Sequence, residues 1–405
     1  MLNNDEQEIL IQRLINRIQK LNENILVTIG ESINELGTIQ PSKVHQIKQM
    51  LMYGENLNKI INEIAKITNL NAKDIYDIFE NEAKINQDFA KQFYKAKGIE
   101  YIPFEQNKAL KKQIKAIADI TIKEYANISR TSAIGYTIKD NKGNIVFKNV
   151  SDIYKEAIDK ATLNIVQGKT TQSQEIRNFM KQIGQSGLKT VDYKSGRSMR
   201  LDSALSMNIQ GATRDLSNNL QQQFGEEFGA DGIELSAHIN PAPDHAPIQG
   251  RQFTLKEYEN MQNGLPFKDY TGRHFNGLDR AIGQWNCYHY IFNIVLGISK
   301  PLHTEKELRQ IEENNNKGFT LDGKHYTSYE GTQFQRAIER KIREQKDIQI
   351  LAKASKDKEL VNNSQLKITQ YTNKYKQLCK VSGLSNQLKI RGLVSGYRRV
   401  NVANM

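Results

Sequence analysis

Cysteine is nearly absent from this sequence of 405 residues, which holds only Cys287 and Cys379. Two thiols so far apart cannot frame a disulfide-stapled fold, and they fit a reducing cytoplasm. Long apolar runs are missing too. The longest, YIFNIVLGI (290–298), is interrupted by Asn293 and falls far short of the ~20 residues a bilayer requires, so no membrane partner is expected. The first residues, MLNNDEQEIL, are polar and acidic where a secretory leader is basic and then apolar, so no export signal is expected. There is no GxxxxGK[ST] loop and no GxGxxG behind a strand, which argues against a phosphate cradle of those kinds. Mean hydropathy is −0.63 with 38% hydrophobic residues. That describes a chain that folds into two or three domains with much polar surface or extended helix.

Acid is missing from the C-terminal end. After Glu359 no aspartate or glutamate occurs, whereas Lys367, Lys374, Lys376, Lys380, Lys389, Arg391, Arg398 and Arg399 supply eight cations, two thirds of the net +12. Tyr371, Tyr375 and Tyr397 are interleaved with them. A polyanion is the natural partner of such a tail, because each neutralised phosphate releases counterions. Nucleic acid bound without sequence preference is the expected ligand, with a solvated lysine-rich surface as the plainer alternative.

Hydrophobic periodicity divides the chain into three parts. Residues 1–150 read as helical, because Ile11, Leu14, Ile18, Leu21 and Ile25 recur at the spacing of one helix face. Further amphipathic stretches cover 43–68, 71–96 and 107–130, and this part is expected to dock partners. The turn KDNKGN (139–144) precedes a central part, 151–300. There, helices are expected over 151–167 and 172–186, and VDYKSGRSMRL (191–201) predicts a hairpin with Ser195 and Gly196 in its turn. A long helix capped by Asp202 or Ser203 should run to Phe228, followed by a strand at 232–238. The third part, 301–405, predicts a helix over 303–317 capped by Thr304 and another over 328–356, ahead of the basic tail 361–405. On the latter helix Phe334, Ile338 and Ile342 form a narrow stripe to pack on the domain or on another subunit. The fold class expected is α+β: mainly helical, with a small antiparallel sheet in the central domain and long helices on either side.

Five of the seven histidines and five of the seven prolines fall between 238 and 303. His238, His245, Cys287 and His289 offer the donor atoms of a tetrahedral zinc site, although the spacing H-x6-H…C-x-H is no common zinc module. On a strand, Cys287 and His289 would share a face. A Cys287–His289 nucleophile pair is awkward for proton transfer at that spacing. A metal-dependent nuclease with His245 as base and Asp244 as metal ligand suffers from adjacent side chains that diverge. The reading preferred from the residues is a structural clamp without turnover. Pro241, Pro243 and Pro247 stiffen the loop. Asn240 and Asp244 favour turns, Gly250 permits a close approach, and Gln249, Trp285 and Asn286 supply polar or bulky contacts.

The run from VDYKSGR (191–197) through GADGIELSAH (229–238), PDHAPIQGRQF (243–253) and WNCYHYIFNIVLGIS (285–299) resembles the minor capsid proteins of tailed phages infecting Gram-positive bacteria. It is more distantly similar to the MuF-type head morphogenesis domain. The resemblance covers about 150–300 and rests on the order and spacing of these segments. Its family-like positions are His238, His245, Gln249, Gly250, Trp285, Asn286, Cys287 and His289. The chain departs from the family at Ala242 and Tyr288, where arginine is common. What the resemblance implies is a non-enzymatic minor head protein with a MuF-like α+β core. Such a protein assembles in the host cytoplasm and resides in the virion, inside the capsid near the portal. Its implied partners are the portal protein, other head proteins, further copies of itself on the portal, and packaged double-stranded DNA, with which it is ejected. No cofactor is implied beyond the zinc candidate. The competing class is a metal-dependent nuclease or other nucleic-acid hydrolase using His238, His245, Cys287 and His289.

Overall fold

The computed structural model describes residues 4–36, 43–130, 132–140, 142–167, 171–192, 195–238, 240–283, 287, 289–388 and 393. Its first half is built from long helices. α1 (Asn4–Leu36) buries the stripe Ile11, Leu14, Ile18, Leu21 and Ile25, as the spacing predicts. α2 (Lys43–Lys97) joins the two expected stretches into one helix, because Ile60, Ile64, Ile67, Ile75 and Ile78 keep a single buried face through the junction. α3 (Lys108–Ile128) starts where the Asn107 side chain accepts from the Leu110 amide at 3.0 Å.

The expectation of helix up to residue 150 fails at 134–149. β1 (Ile134–Lys139) and β2 (Ile145–Asn149) form an antiparallel hairpin. Their Ile, Val and Thr residues favour a pleated surface, and the Asp140 carboxylate closes the turn by accepting from the amides of Lys142 and Asn144 at 2.8 Å. α4 (Val150–Gln167) and α5 (Thr171–Ser186) follow. The hairpin expected at 191–201 is present as β3 (Lys189–Val191) and β4 (Ser198–Arg200), completing an antiparallel sheet of order β2-β1-β3-β4. α6 (Leu201–Phe228) begins earlier than predicted, with Arg200 at its N-cap and no side-chain cap bond. Asp202 therefore lies inside the first turn, where its carboxylate complements the helix dipole. Gly229 ends α6 in the left-handed region at φ 71°.

A second small sheet, of order β6-β5-β9, is made by β5 (Gly232–Leu235), β6 (Gln252–Thr254) and a later strand, all antiparallel. Between them lie α7 (Leu255–Gln262) and the two-residue strands β7 (Phe267–Lys268) and β8 (His274–Phe275). β9 (Ile291–Ile294) closes the sheet. α8 (Glu305–Lys317) starts with the capping box Thr304–Glu307, so Thr304 caps it as predicted. The hairpin of β10 (Phe319–Leu321) and β11 (Lys324–Tyr326) leads into α9 (Ser328–Ala354) and α10 (Lys358–Ser382). The molecule is thus mainly helical with small antiparallel sheets, the α+β class expected.

One apolar cluster runs from α1 through α6 to α9 and Leu360 of α10. α9 is its axis, packed against α1, α5 and α10. Inside it the Asn22 amide donates to Asp347 at 3.0 Å, the Tyr136 hydroxyl donates to Asn22 at 3.0 Å, and Arg200 lies 3.6 Å from Asp347. The stripe Ile338–Ile342 is covered within the chain by Tyr371, Tyr375, Leu388 and Leu393, while Phe334 meets Tyr326 edge-on. The β6-β5-β9 sheet has its own smaller cluster around Ile233, Leu235, Ile248, Phe253 and Met261. Its other face docks on the body through Tyr290, Phe292 and Ile294 against Phe89 and Phe93 of α2.

Candidate functional site

The loop 236–250 leaves β5 and returns to β6, and residues 287–290 lead directly into β9. Because β5 pairs with both strands, the topology brings the two segments side by side. The Ser236 amide donates to the Tyr290 carbonyl at 2.9 Å, and the Tyr290 amide to the Ser236 hydroxyl at 2.8 Å. Residues 287 and 289 are not in a strand, contrary to the expectation. Cys287 and His289 nevertheless converge, because they meet at the Cys287 sulfur rather than on a pleated face.

His245 Nδ1 lies 3.6 Å from Cys287 Sγ, and His289 Nδ1 lies 3.4 Å from the same sulfur. All three side chains are buried, and one donor atom from each lies within 4.8 Å of the others. His238 is close but outside this group: its ring is tilted against that of His289 with centroids 4.4 Å apart. Among the described residues, the expected four-donor set is therefore a trio with one neighbour. His245 Nε2 is 3.0 Å from the Arg280 carbonyl. A carbonyl can only accept, so a hydrogen sits on Nε2, and in the neutral ring Nδ1 turns a lone pair toward the sulfur.

Burial opposes charge on His245, but the sulfur, the Arg280 carbonyl and Asp244 outweigh it and raise its pKa. Burial opposes the thiolate of Cys287, yet His245 and the amides of Gly283 and His289 draw its pKa below the ordinary thiol value. Burial, followed by the charges of His238, His245 and Arg280, pushes His289 down to about 2. A thiol inclined to ionise thus faces a neutral imidazole. The three groups line a cavity of about 250 Å³, together with His238, Asn240, Ala242, Arg280, Tyr329 and Arg336.

The clamp residues divide. Asp244 takes Arg280 in a bidentate pair, at 3.1 and 2.9 Å. Gln249 accepts from the His238 amide at 3.0 Å, and the Asn240 amide donates to Asn315 of α8 at 3.3 Å. Gly250 has φ 69°, and a Cβ there would sit 2.4 Å from Leu308. Trp285 and Asn286 lie outside the described residues. Sequence reasoning overlooks Arg280 and Arg214, the latter donating to the Cys287 carbonyl. Ala242 and Tyr288 gave no reason to expect guanidinium groups at the cavity. Arg280 and Arg336 reach it from other elements, and no local motif near the histidines signals them. A larger cleft of about 510 Å³, lined by Gly250 and His303 among others, also contains an arginine. That Arg251 is already held by Asp269 at 3.0 Å and Glu305 at 2.6 Å.

The basic region comprises α10 and the residues after it. Lys367, Lys374, Lys376 and Lys380 are exposed. At 100° per residue, Lys367 and Lys374 border the packed face and Lys376 and Lys380 lie opposite. Tyr371 is half-buried against the small cluster. Tyr375 points inward, fully buried, its hydroxyl donating to Glu339 at 2.9 Å. It therefore offers no ring to a base and is removed from the contact set. Lys389, Arg391, Tyr397, Arg398 and Arg399 lie outside the described residues.

Compared with known families, the chain matches over residues 2–380 the model described as phage minor capsid protein 2. No curated protein and no solved structure matches the chain.

Proposed function

We propose a specific role from one premise: the chain belongs to the phage minor capsid protein 2 family. It is a structural protein of the phage virion. Within that role it sits inside the capsid near the portal, with portal and other head proteins as its assembly partners. There it contacts packaged double-stranded DNA without reading sequence, oligomerises on the portal and leaves with the DNA. It performs no catalysis.

The observation that supports this reading is the exposed lysine set of α10 in a stretch that contains no acid after Glu359. A cationic surface beside packed DNA lowers repulsion and binds phosphate irrespective of base. The four lysines are exposed, so replacing them with glutamine leaves the packing of α9 and α10 intact. Lys367, Lys374, Lys376 and Lys380 all changed to Gln should weaken duplex DNA binding and reduce the salt slope, log K against log salt, by up to about 3.6. Fluorescence anisotropy across a salt series measures both. An unchanged slope refutes the DNA contact.

The trio at Cys287 favours a second reading, a metal-dependent hydrolase of nucleic acid. Its proposed roles conflict with the geometry: the Asp244 carboxylate is taken by Arg280. His245 has Nε2 at a carbonyl and Nδ1 at the Cys287 sulfur, so its lone pair faces the thiol and not a substrate proton. Plasmid nicking with Mg²⁺, Mn²⁺ or Zn²⁺, abolished in His245→Ala, would establish the hydrolase and overturn the structural reading.

A further inference from the structure

We propose that His245, Cys287 and His289 bind one zinc ion, with water completing the tetrahedron on the cavity side. The proposal is independent of the DNA reading and rests on three observations. The first is metric. Zinc bond lengths of about 2.3 Å to sulfur and 2.0–2.1 Å to nitrogen make the S···N edge of a tetrahedron about 3.6 Å. The two edges at Cys287 are 3.6 and 3.4 Å.

The second is the hydrogen inventory. A thiol owns one hydrogen, and two imidazole nitrogens face it. In the neutral ring His245 Nδ1 presents a lone pair, because its other nitrogen donates to the Arg280 carbonyl. This is the arrangement in which a metal-ligating histidine is oriented by a backbone carbonyl. His289 Nε2 is buried with no hydrogen-bond partner among the described residues, in a ring only 1% exposed that lines the cavity. With Nδ1 on the ion, this Nε2 carries the ring hydrogen, which the ion itself does not answer and an acceptor in the cavity, such as water, would.

The third is chemical selectivity. One thiolate and two imidazoles suit zinc, whereas magnesium and calcium need oxygen donors. Asp244, 3.5 Å from His245 Nε2, and Arg280 form the outer shell. The ion would tie the proline-rich loop to the segment entering β9, a junction that β5–β6 and β5–β9 pairing does not span. The open fourth position separates this site from a closed four-ligand zinc module.

The full chain, purified without a histidine tag and dialysed against excess Zn²⁺ and then buffer, should carry one zinc per molecule by elemental analysis. Cobalt substitution should give a thiolate-to-metal charge-transfer band. Cys287→Ser and His289→Ala should lower zinc affinity by at least about 10-fold, and Asp244→Ala by about 10–100-fold. His238→Ala should retain the ion. The wild-type readouts do not depend on whether any variant folds. No zinc after reconstitution, no thiolate band with cobalt, or full zinc retention in Cys287→Ser would overturn the site. Loss of zinc in His238→Ala would overturn the three-ligand set.

Discussion

In the helical body Leu14, Ile25, Ile75, Phe79 and Leu351 are each no more than 1% exposed, and all belong to one apolar cluster spanning α1 to α10. Between 236 and 303 the apolar cluster is small. The joins there are polar: Asp244 to Arg280, Gln249 to His238, Asn240 to Asn315, and two imidazoles at one sulfur. Burial in the body is spread over many non-directional contacts, so its stability rests on how closely they are packed. Directional contacts in the loop each demand one geometry. A capsid component can use both, a body for bulk assembly and a shaped loop for one fixed contact.

The largest effect should come from the body. Leu351→Ala removes a fully buried side chain on the α9 axis and should lower unfolding free energy by about 2–5 kcal/mol. Urea titration followed by circular dichroism should show one cooperative transition moved to lower denaturant. A loss under about 1 kcal/mol would break the contrast, because the body would then be no better packed than the loop. Gly250→Ala should come next. Its φ of 69° and the 2.4 Å approach to Leu308 combine backbone strain with overpacking, for about 2 kcal/mol. Hydrogen exchange should concentrate this loss in 238–250 and α8. Uniform loosening of the body as well would show that the two regions are one cooperative unit.

This contrast also explains which elements are legible in the sequence. Ile11 to Ile25, the cap at Thr304 and the hairpin turn at Ser195–Gly196 follow local rules, and each stands where the sequence predicts it. The β1–β2 hairpin does not declare itself, because its KDNKGN turn reads equally well as a boundary between helices. The basic neighbours of Tyr375 suggest a nucleic-acid contact. Tyr371, Tyr375 and Leu378 in fact recur at helical spacing, which marks a buried face. The convergence of His245, Cys287 and His289 depends on the pairing of β5 with β6 and β9. Residue types suggest the donors, but only topology selects three of the four and brings in Arg280 and Arg214.

The contrast sharpens at Lys346, a cation inside the apolar body. Its ammonium donates to the Leu393 carbonyl. Burial brings its pKa down to about 8, against a partial rise from Asp347 and with repulsion from Arg343. In the unfolded chain the same lysine titrates near ~10.4. Between these values the unfolded chain binds more protons than the folded one, so stability rises with pH across roughly pH 8 to 10. Above that window the trend should reverse. Burial and the carboxylates of Glu227 and Glu339 hold Tyr94 and Tyr375 protonated in the fold, while the same tyrosines ionise once unfolded. The expected rise is on the order of 1 kcal/mol, measured as urea midpoints at successive pH values. Lys346→Met should flatten it, since a side chain of similar length without a charge has no proton to lose. A wild-type midpoint that falls steadily from pH 8 would mean that Lys346 stays charged, and that the body accommodates a directional polar contact as readily as the loop does.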